Sequence, residues 1–454
     1  MQRTSLKGAP PIDVARHLGA EHRGGLIFFD SGKSSTGKAR WSILACHPSA
    51  ILTEHEGQLI ELPGGDAVCD PVAWMEQKAA PLPMGRPLRG PDPSTTAPFF
   101  GGVAGFLGFE FAWWLEAIGA KPREAQTPVL WVGAFDAAAC FDHESETWHV
   151  GGVLDGVGAR ALMEAIEVAG SGATPGGKGG GARLGIEPEV YRERVAECID
   201  AIYCGEIFEV NYTERFRGRW DGGAFGLFEA LRGRADGAFG GFLDAGEFAI
   251  ASVSPEQFVA VDGPCVMTRP IKGTRPRGAS VEEDARLGAE LLVSEKDRAE
   301  NVMIVDLMRN DLTRVCALGS VRASAVCALE SFEGVHHLVS TVEGRLEPGF
   351  EALDVLLACF PAGSITGAPK LRAIELIAKI EQDARGPYTG SMFYLSREGR
   401  LDSNVLIRTA TLVGTDACYG AGGAVVADSD PGEEHLEAEL KARAFVAAMG
   451  EQTP

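Results

Sequence analysis

Arg269-Pro-Ile-Lys-Gly-Thr-Arg-Pro-Arg-Gly278 is a stretch of glycine, proline and basic residues in which Lys272 stands directly before a glycine. Glycine and proline favour tight, stiff backbone, so the sequence predicts a turn here. A lysine that burial or nearby cations keep neutral can act as an amine nucleophile. The alternative is an exposed lysine in a basic loop, which is the ordinary place for this residue.

A carboxyl group that would serve this lysine precedes it in the chain. Glu256, in Ser254-Pro-Glu256, belongs to a strand-like segment, and a hairpin between the two strands would bring it close to Lys272. A carboxylic acid can protonate a leaving group while an amine attacks. The alternative is a surface salt bridge, which contributes little stability.

Two predicted helices carry clustered carboxylates. Asp297 and Glu300 are three residues apart and share a helix face, as do Glu434 and Glu437 on a second helix that also carries Lys441. Carboxylates on two facing helices suit Mg²⁺, which takes oxygen ligands and often uses only one or two carboxylates from the protein. The alternative is a pair of solvated helix faces.

Two further segments suit an anion. The turn Pro361-Ala-Gly-Ser-Ile-Thr-Gly-Ala-Pro-Lys370 leads into a predicted helix, whose first N–H groups and nearby lysine can hold a carboxylate or phosphate; an ordinary loop is the alternative. Arg408 alternates out of an apolar strand, where an arginine is unfavourable without an anionic partner. His336 and His337 fit a structural role, because no metal-ligand spacing surrounds them.

Composition excludes several classes of protein. The chain has 454 residues, 45% of them hydrophobic, and a net charge of −21, which disfavours a nucleic-acid binder because phosphate contacts need clustered cations. The 10 cysteines form no C-x-x-C pair and read as reduced thiols. The N-terminus has no apolar signal core, and no run approaches the roughly 18 apolar residues of a membrane span. We expect a cytoplasmic protein that binds neither nucleic acid nor membrane.

The order of predicted elements indicates an α+β architecture. We expect an N-terminal region of mixed strands and helices at 1–168, a glycine-rich linker or loop at 169–186, and a catalytic region at 187–450. Among the predicted helices are 188–204, 281–310, 352–359 and 433–449. The last strands are predicted at 405–412 and 417–426.

Ten motifs, in order along the chain, resemble those of the chorismate-utilising enzymes, densely over 188–450 and loosely over 25–170. They are Gly205-Glu-Ile-Phe-Glu-Val-Asn-Tyr-Thr213, Ser254-Pro-Glu256, Pro270-Ile-Lys-Gly-Thr-Arg275, Glu295-Lys-Asp-Arg-Ala-Glu-Asn301, Asp306-Leu-Met-Arg-Asn-Asp311, His337-Leu-Val-Ser340, Thr366-Gly-Ala-Pro-Lys370, Arg385-Gly-Pro-Tyr-Thr-Gly390, Ile407-Arg-Thr-Ala410 and Gly420-Ala-Gly-Gly-Ala-Val-Val-Ala-Asp-Ser429. The resemblance implies two stacked antiparallel sheets flanked by helices.

Within this family, the residue at position 272 distinguishes sister enzymes. Anthranilate synthase large subunits typically carry Pro-Ile-Ala-Gly-Thr, whereas the first components of aminodeoxychorismate synthases typically carry Pro-Ile-Lys-Gly-Thr, as this chain does. The resemblance therefore implies amination of chorismate to 4-amino-4-deoxychorismate, for p-aminobenzoate and folate or for secondary metabolism. Anthranilate synthesis is the alternative. A non-catalytic homologue is disfavoured, because Glu256, Glu300 and Glu437 are all present.

The resemblance also implies a role for each candidate residue. Lys272 attacks C2 of chorismate to form a covalent intermediate, Glu256 protonates the departing C4 hydroxyl, and His337 lies near the reacting face. Mg²⁺ is held by Glu300 and Glu437, with Asp297 and Glu434 beside them. The positions implied to bind the two substrate carboxylates are Thr274, Gly367, Lys441, Tyr388, Arg408 and Gly422.

The chain departs from the family pattern at position 209. Glu209 stands where ammonia-using relatives commonly have glutamine and water-using relatives have lysine, so an isochorismate or salicylate enzyme is disfavoured. No Gly-x-Cys-x-Gly glutaminase segment is present. We therefore expect a separate glutamine amidotransferase subunit to supply ammonia and another protein to release pyruvate from the product.

Overall fold

The computed structural model describes residues 2–21, 24–32, 40–81, 97–170, 177–235, 237–332 and 334–450. The strands of these ranges are, in chain order, β1 (Gln2–Leu6), β2 (Leu26–Asp30), β3 (Trp41–Ala45), β4 (Ala50–His55), β5 (Gln58–Leu62), β6 (Asp66–Ala67), β7 (Gly102–Leu107), β8 (Leu130–Phe135), β9 (Ala137–Asp142), β10 (Thr147–Gly152), β11 (Gly179–Leu184), β12 (Glu209–Trp220), β13 (Gly240–Asp244), β14 (Phe248–Ser252), β15 (Gln257–Asp262), β16 (Cys265–Thr268), β17 (Ile271–Pro276), β18 (Arg322–Ser331), β19 (Val335–Arg345), β20 (Gly367–Ala368), β21 (Ser391–Ser396), β22 (Leu401–Asn404), β23 (Thr409–Val413) and β24 (Asp416–Val425).

The α-helices of the same ranges are α1 (Pro11–Glu21), α2 (Pro71–Ala79), α3 (Ala112–Leu115), α4 (Val157–Val168), α5 (Pro188–Tyr203), α6 (Ala224–Arg232), α7 (Val281–Val293), α8 (Glu295–Thr313), α9 (Ala352–Cys359), α10 (Lys370–Ile380) and α11 (Pro431–Ala448). None of these helices is both long enough and apolar enough to span a membrane.

Within the described residues, the strands form two antiparallel sheets of 12 strands each. The first sheet runs β1-β10-β9-β3-β2-β13-β14-β23-β24-β12-β11, with β20 beside β12. The second runs β17-β19-β16-β15-β22-β21-β7-β8-β4-β5-β6, with β18 beside β19. The predicted segments 1–168 and 187–450 both contribute strands to each sheet. The two segments therefore share both sheets.

The two sheets pack face to face, and β7 shows why. Successive side chains of a strand point to opposite faces. Ala104 and Phe106 accordingly pack between the sheets, against residues such as Ile250 of the first sheet. Val103 and Leu107 point outward into a second core, which the helices α2, α8, α9 and α10 cover. The first sheet is covered on its outer face by α1, α4, α6 and α11. The predicted α+β fold of two stacked antiparallel sheets flanked by helices is therefore confirmed.

Three local expectations differ from the structure. The second half of the segment expected to be a linker, 169–186, contains β11, which pairs with β12; residues 171–176 lie outside the described ranges. The single helix predicted at 281–310 is broken at Ser294, whose side chain caps α8 by accepting from the N–H of Asp297. The strand predicted at 405–412 begins only at Thr409.

A buried ion pair fixes β12 against the turn that follows α10. The side chains of Arg385 and Glu381 are 1% and 2% exposed, with Arg385 Nη2 donating to Glu381 Oε1 at 2.6 Å. The same carboxylate oxygen accepts from the N–H of Thr213 at 3.0 Å. Arg385 Nη2 also donates to the carbonyl oxygen of Asn211 at 2.6 Å. Neither charge reaches water, and Glu381 is balanced by Arg385 together with the more distant Arg215, whose Nη2 lies 3.5 Å from Glu381 Oε2.

Arg385→Ala is therefore expected to lower the free energy of unfolding by about 3–5 kcal/mol, because it leaves the buried Glu381 charge with only Arg215, at 3.5 Å, to balance it. The control is Arg372→Ala, which removes a guanidinium that is 47% exposed and pairs with Glu206 and Glu375. An exposed pair contributes at most about 1 kcal/mol. Urea unfolding of both variants measures the difference, and equal losses would contradict the assignment.

Candidate active site

The candidate site lies between the two sheets, where a lysine of one meets a glutamate of the other. Lys272 is on β17 of the second sheet and Glu209 is at the start of β12 of the first. Lys272 Nζ donates to Glu209 Oε1 at 2.9 Å, and the two side chains are 9% and 0% exposed. The expected turn at Lys272 is wrong, because β17 is a strand. Gly273, with φ of 81°, makes a bulge in its pairing with β19, and bulges re-aim neighbouring side chains.

The surroundings of Lys272 hold it in the ammonium form. Burial by itself would lower the pKa of Lys272, but the carboxylates of Glu209, Glu300 and Glu256 outweigh burial and raise that pKa above its usual value. The neutral amine expected from the sequence is therefore not the resting state. A proton must leave Nζ before Lys272 can act as a nucleophile.

Glu256 lies just before β15 and has the properties of a proton donor. Its carboxyl group is 4% exposed, and Ser364 Oγ donates to its Oε1 at 2.7 Å. Burial raises the pKa of Glu256 to about 7, although Ser364 and Lys272 act in the opposite direction. The group is thus partly protonated at neutral pH. Ser364, in a short 3₁₀ turn at 363–365, was not singled out from the sequence, although it lies inside the Pro361–Lys370 motif.

His337 and Thr274 lie opposite each other on paired strands. Thr274 Oγ1 and His337 Nδ1 are 2.9 Å apart, and Thr274 is the register partner of His337. Burial, assisted by the positive charge of Arg408, lowers the pKa of His337 to about 4. The imidazole is therefore neutral over the physiological range and offers one donor and one acceptor.

Two glycines let the backbone approach β12 closely from both sides. At Gly367, which has φ of 133°, an added Cβ would lie 2.1 Å from the carbonyl oxygen of Glu209. At Gly422, a Cβ would lie 2.0 Å from the carbonyl oxygen of Tyr212. Lys441 Nζ donates to the carbonyl oxygen of Gly422 at 2.7 Å and contacts Glu437 Oε1 at 2.6 Å. A side chain at either glycine would collide with the backbone of β12, at Glu209 in the case of Gly367 and at Tyr212 in the case of Gly422.

Tyr388 and Arg408 supply aromatic and cationic groups nearby. The Arg215 guanidinium lies over the Tyr388 ring, 5.1 Å from its centroid, and burial raises the pKa of Tyr388 to about 12. Arg408 has φ of 53° and lies between β22 and β23 rather than within a strand. Its Nη1 donates to the carbonyl oxygen of Lys441 at 3.1 Å and its side chain also hydrogen-bonds to Tyr419, while no ion pair between it and a carboxylate is seen in the described ranges. Arg408 is thus available to an anionic ligand.

The four predicted metal carboxylates lie on α8 and α11. Lys296 acts electrostatically on Glu300 of α8 and on Glu434 and Glu437 of α11, which indicates that these carboxylates of the two helices lie in one region. Burial raises the pKa of Glu300 to about 7, with Lys272 opposing and Glu209 adding to the shift. Burial likewise raises the pKa of Glu434.

These carboxylates fit a hard divalent cation. Glu434 Oε1 accepts from Ser429 Oγ, while its buried Oε2 has no hydrogen-bond partner among the described residues. A cation between α8 and α11 would satisfy this oxygen and relieve the repulsion between Glu434 and Glu437. Asp297, the fourth predicted carboxylate, accepts from Arg275 Nη2 at 3.0 Å. Within the described residues, the candidate carboxylates included, no three acidic, histidine or cysteine side chains lie close enough together to hold a metal ion as they stand.

Comparison with known proteins identifies the family of this chain. The family described as chorismate binding enzyme matches residues 33–447. The aminodeoxychorismate synthase component 1 of Klebsiella aerogenes is 37% identical over 418 residues, which cover 90% of each chain. The anthranilate synthase component 1 of Thermus thermophilus is 40% identical over 360 residues, which cover 78% of each chain.

Solved structures resemble the fold as well. The anthranilate synthase component I of Streptococcus pneumoniae is 30% identical, with a TM-score of 0.77 over 91% of this chain and 93% of that one. The menaquinone-specific isochorismate synthase of Escherichia coli, 14% identical with a TM-score of 0.72, shares the fold. Aminodeoxychorismate and anthranilate synthases are thus similar to this chain to a comparable degree. The chain belongs to the family of chorismate binding enzymes.

Proposed function

We propose that this protein is the chorismate-binding component of an aminodeoxychorismate synthase, which converts chorismate and ammonia to 4-amino-4-deoxychorismate through a covalent bond to Lys272. The observation that carries the proposal is the buried Lys272, with Glu256, whose pKa is about 7, acting on it electrostatically. An amine and a protonated carboxyl are the two groups that a nucleophilic displacement of a hydroxyl requires. Anthranilate synthesis is the second candidate, because relatives with that name are equally similar.

The first chemical step joins Lys272 to the substrate ring. Nζ loses one proton and bonds to C2, the ring diene shifts its electrons towards C4, and the C4–O bond breaks. Glu256 gives its proton to the departing hydroxide, which leaves as water, and takes up the proton that Nζ has lost. In the second step ammonia bonds to C4, the electrons shift back, and the C2–Nζ bond breaks to release the amine of Lys272.

The substrate carboxylates are bound by the neutral and cationic groups around this pair. Arg408, which has no carboxylate partner in the described ranges, suits the enolpyruvyl carboxylate, with Tyr388 and Gly422 nearby. Thr274, Gly367 and Lys441 suit the ring carboxylate. The neutral His337, hydrogen-bonded to Thr274, orients the reacting face without adding charge.

Glu300, Glu434 and Glu437 are the residues that would hold Mg²⁺, with Asp297 engaged by Arg275 outside this set. When bound, Mg²⁺ neutralises the ring carboxylate and orients the ring. The protein's own contribution is to present these carboxylates from two helices, Glu434 buried and Glu437 half-exposed beside Lys441, so that a divalent cation would add to the balance of their charge.

The nitrogen donor is a separate glutamine amidotransferase subunit, in keeping with the name component 1 that several relatives carry. The product then enters p-aminobenzoate and folate synthesis or a related secondary pathway. Such chemistry takes place in the cytoplasm.

Identification of the product decides between the two candidates. The purified chain, incubated with chorismate, Mg²⁺ and ammonium, is expected to form a product that a lyase converts to p-aminobenzoate. Chromatography with mass detection identifies 4-amino-4-deoxychorismate before the lyase is added. Fluorescent anthranilate formed without any lyase would contradict the proposal and establish the second candidate.

A further inference from the structure

The hydroxyl of Tyr191, on α5, is buried without a hydrogen-bond partner. The residue is 0% exposed, and its hydroxyl oxygen is bonded to no donor or acceptor among the described residues. Burial, with the negative charges of Glu434 and Glu437 adding to its effect, raises the pKa of Tyr191 well above its usual value, so the hydroxyl keeps its proton. An unsatisfied polar group in the interior is unfavourable and requires an explanation. The hydroxyl is therefore a buried donor that lacks an acceptor.

The carboxylate of Glu434, on α11, contains a buried acceptor that lacks a donor. Its Oε1 accepts from Ser429 Oγ at 2.8 Å, whereas its Oε2 has no hydrogen-bond partner in the described part of the chain. A Cβ added at Gly423 of β24 would lie 2.5 Å from this Oε2. The unsatisfied oxygen therefore lies directly against the backbone of the first sheet.

The packing around Gly423 brings Tyr191 into the same region. Tyr212 of β12 is the register partner of Gly423, and cross-strand partners point to the same face of a sheet. The ring of Tyr191 packs on that of Tyr212, with the two centroids 5.0 Å apart. It also packs on His435, the residue that follows Glu434, at 5.4 Å. The unsatisfied donor and the unsatisfied acceptor therefore lie in one buried region, where α5 and α11 meet the first sheet.

We propose that Tyr191 is a positioning residue of the cation site, whose hydroxyl donates to Glu434 Oε2 in the cation-bound protein. This inference rests on the proposed function, in which Glu434 is one of the residues that would hold Mg²⁺. A carboxylate has about four lone-pair positions that can accept. Ser429 uses one on Oε1 and Tyr191 uses one on Oε2, so each oxygen keeps a lone pair for the cation. With both oxygens held, the carboxylate is already oriented when the cation binds.

Tyr191→Phe tests this role, because it removes the hydroxyl and keeps the ring that packs on Tyr212 and His435. Loss of a hydrogen-bond partner of a metal ligand typically lowers metal affinity roughly 10- to 100-fold. We expect the Kd for Mn²⁺ to rise roughly tenfold in the variant. Mn²⁺ serves as the probe because it prefers the same oxygen ligands as Mg²⁺, and electron paramagnetic resonance measures its free concentration without any substrate.

The matched control is Tyr212→Phe, which removes the hydroxyl of the neighbouring ring. That hydroxyl donates to Glu214 Oε1 at 2.6 Å and not to a carboxylate of the cation site, so the Kd for Mn²⁺ is expected to stay unchanged. Equal losses of affinity in the two variants would assign the effect to packing of the rings. That result, or an unchanged Kd in Tyr191→Phe, overturns this inference alone.

A second measurement separates cation binding from chemistry. In Tyr191→Phe, the Mg²⁺ concentration that gives half-maximal amination of chorismate should rise by the same factor, while kcat at saturating Mg²⁺ should match that of the unaltered protein. A kcat that stays low at saturating Mg²⁺ contradicts a role through the cation. Glu434→Gln tests the site itself. If the unaltered protein binds Mn²⁺ no more tightly than Glu434→Gln does, the cation site of the proposed function is wrong, and the inference with it.

Discussion

Replacing Lys272 with alanine is expected to lower the rate of 4-amino-4-deoxychorismate formation by roughly 10⁴- to 10⁶-fold, the range seen when a member of a catalytic set is removed. Among the described residues, Lys272 is the buried amine on which Glu209, Glu300 and Glu256 all act, and alanine offers no group that can bond to C2. The rate is measured from chorismate and ammonium by chromatography of the product.

Loss of stability must be separated from loss of chemistry in this variant. Lys272→Ala leaves Glu209 charged and buried without its partner, which costs about 3–5 kcal/mol of folding free energy. The double variant Lys272→Ala, Glu209→Gln removes both charges, so its urea midpoint is expected to return towards that of the unaltered protein. If its activity also returned, the loss in the single variant would be a matter of stability and the covalent role of Lys272 would be wrong.

Glu256→Gln is expected to lower the rate of amination by roughly 10²- to 10⁴-fold, the usual contribution of a general acid. The glutamine oxygen still accepts from Ser364 Oγ, so the geometry is kept while the proton is lost. Steady-state rates at saturating Mg²⁺ measure the effect. A variant within a few-fold of the unaltered protein would remove Glu256 from the chemistry.

The same carboxyl group sets the direction of the pH dependence. Burial raises the pKa of Glu256 to about 7, so the required acid form is present below this pH and is lost above it. At saturating Mg²⁺, kcat/KM for chorismate should fall by about tenfold per pH unit above neutrality. Ser364→Ala removes a hydrogen bond that lowers the pKa of Glu256, so the fall should begin at higher pH. His337 stays neutral here, because burial lowers its pKa to about 4.

The sequence predicted the helices and strands whose signals lie in their own neighbouring residues. Helices α5, α9 and α11 lie close to their predicted bounds, because each begins at a clear signal: Pro188 for α5, the capping box of Glu351 and Asp354 for α9, and Asp430 with Pro431 for α11. The strand β11 was missed, because its Gly-Gly-Gly-Ala sequence has no strand preference of its own and its backbone is ordered only by pairing with β12. Nor does any local pattern reveal that each sheet is completed by a block of strands from each half of the chain, joined where β2 pairs with β13 and where β21 pairs with β7.

The residues of the candidate site could be identified from the sequence, but the contacts that set their charge could not. The motif resemblance identified Lys272, Glu256 and the carboxylates of the two acidic helices as site residues. The fold brings these side chains into one region. The charge on Lys272 depends on Glu209, which is distant in sequence and lies on the other sheet. Only the packing of the sheets shows that this partner, and not the neighbouring arginines, sets the protonation of the lysine. The turn of Asp297 towards Arg275 is equally a product of tertiary contacts.

The central claim is that Lys272 becomes covalently bound to the substrate ring, and the mass of the protein tests it most directly. Incubation with chorismate and Mg²⁺ in the absence of any ammonia, followed by rapid acid quenching, should add the mass of chorismate less one water. Proteolysis should place this mass on the peptide that contains Lys272, and the Lys272→Ala variant should not acquire it. An unmodified Lys272 in a protein that nevertheless aminates chorismate would contradict the account.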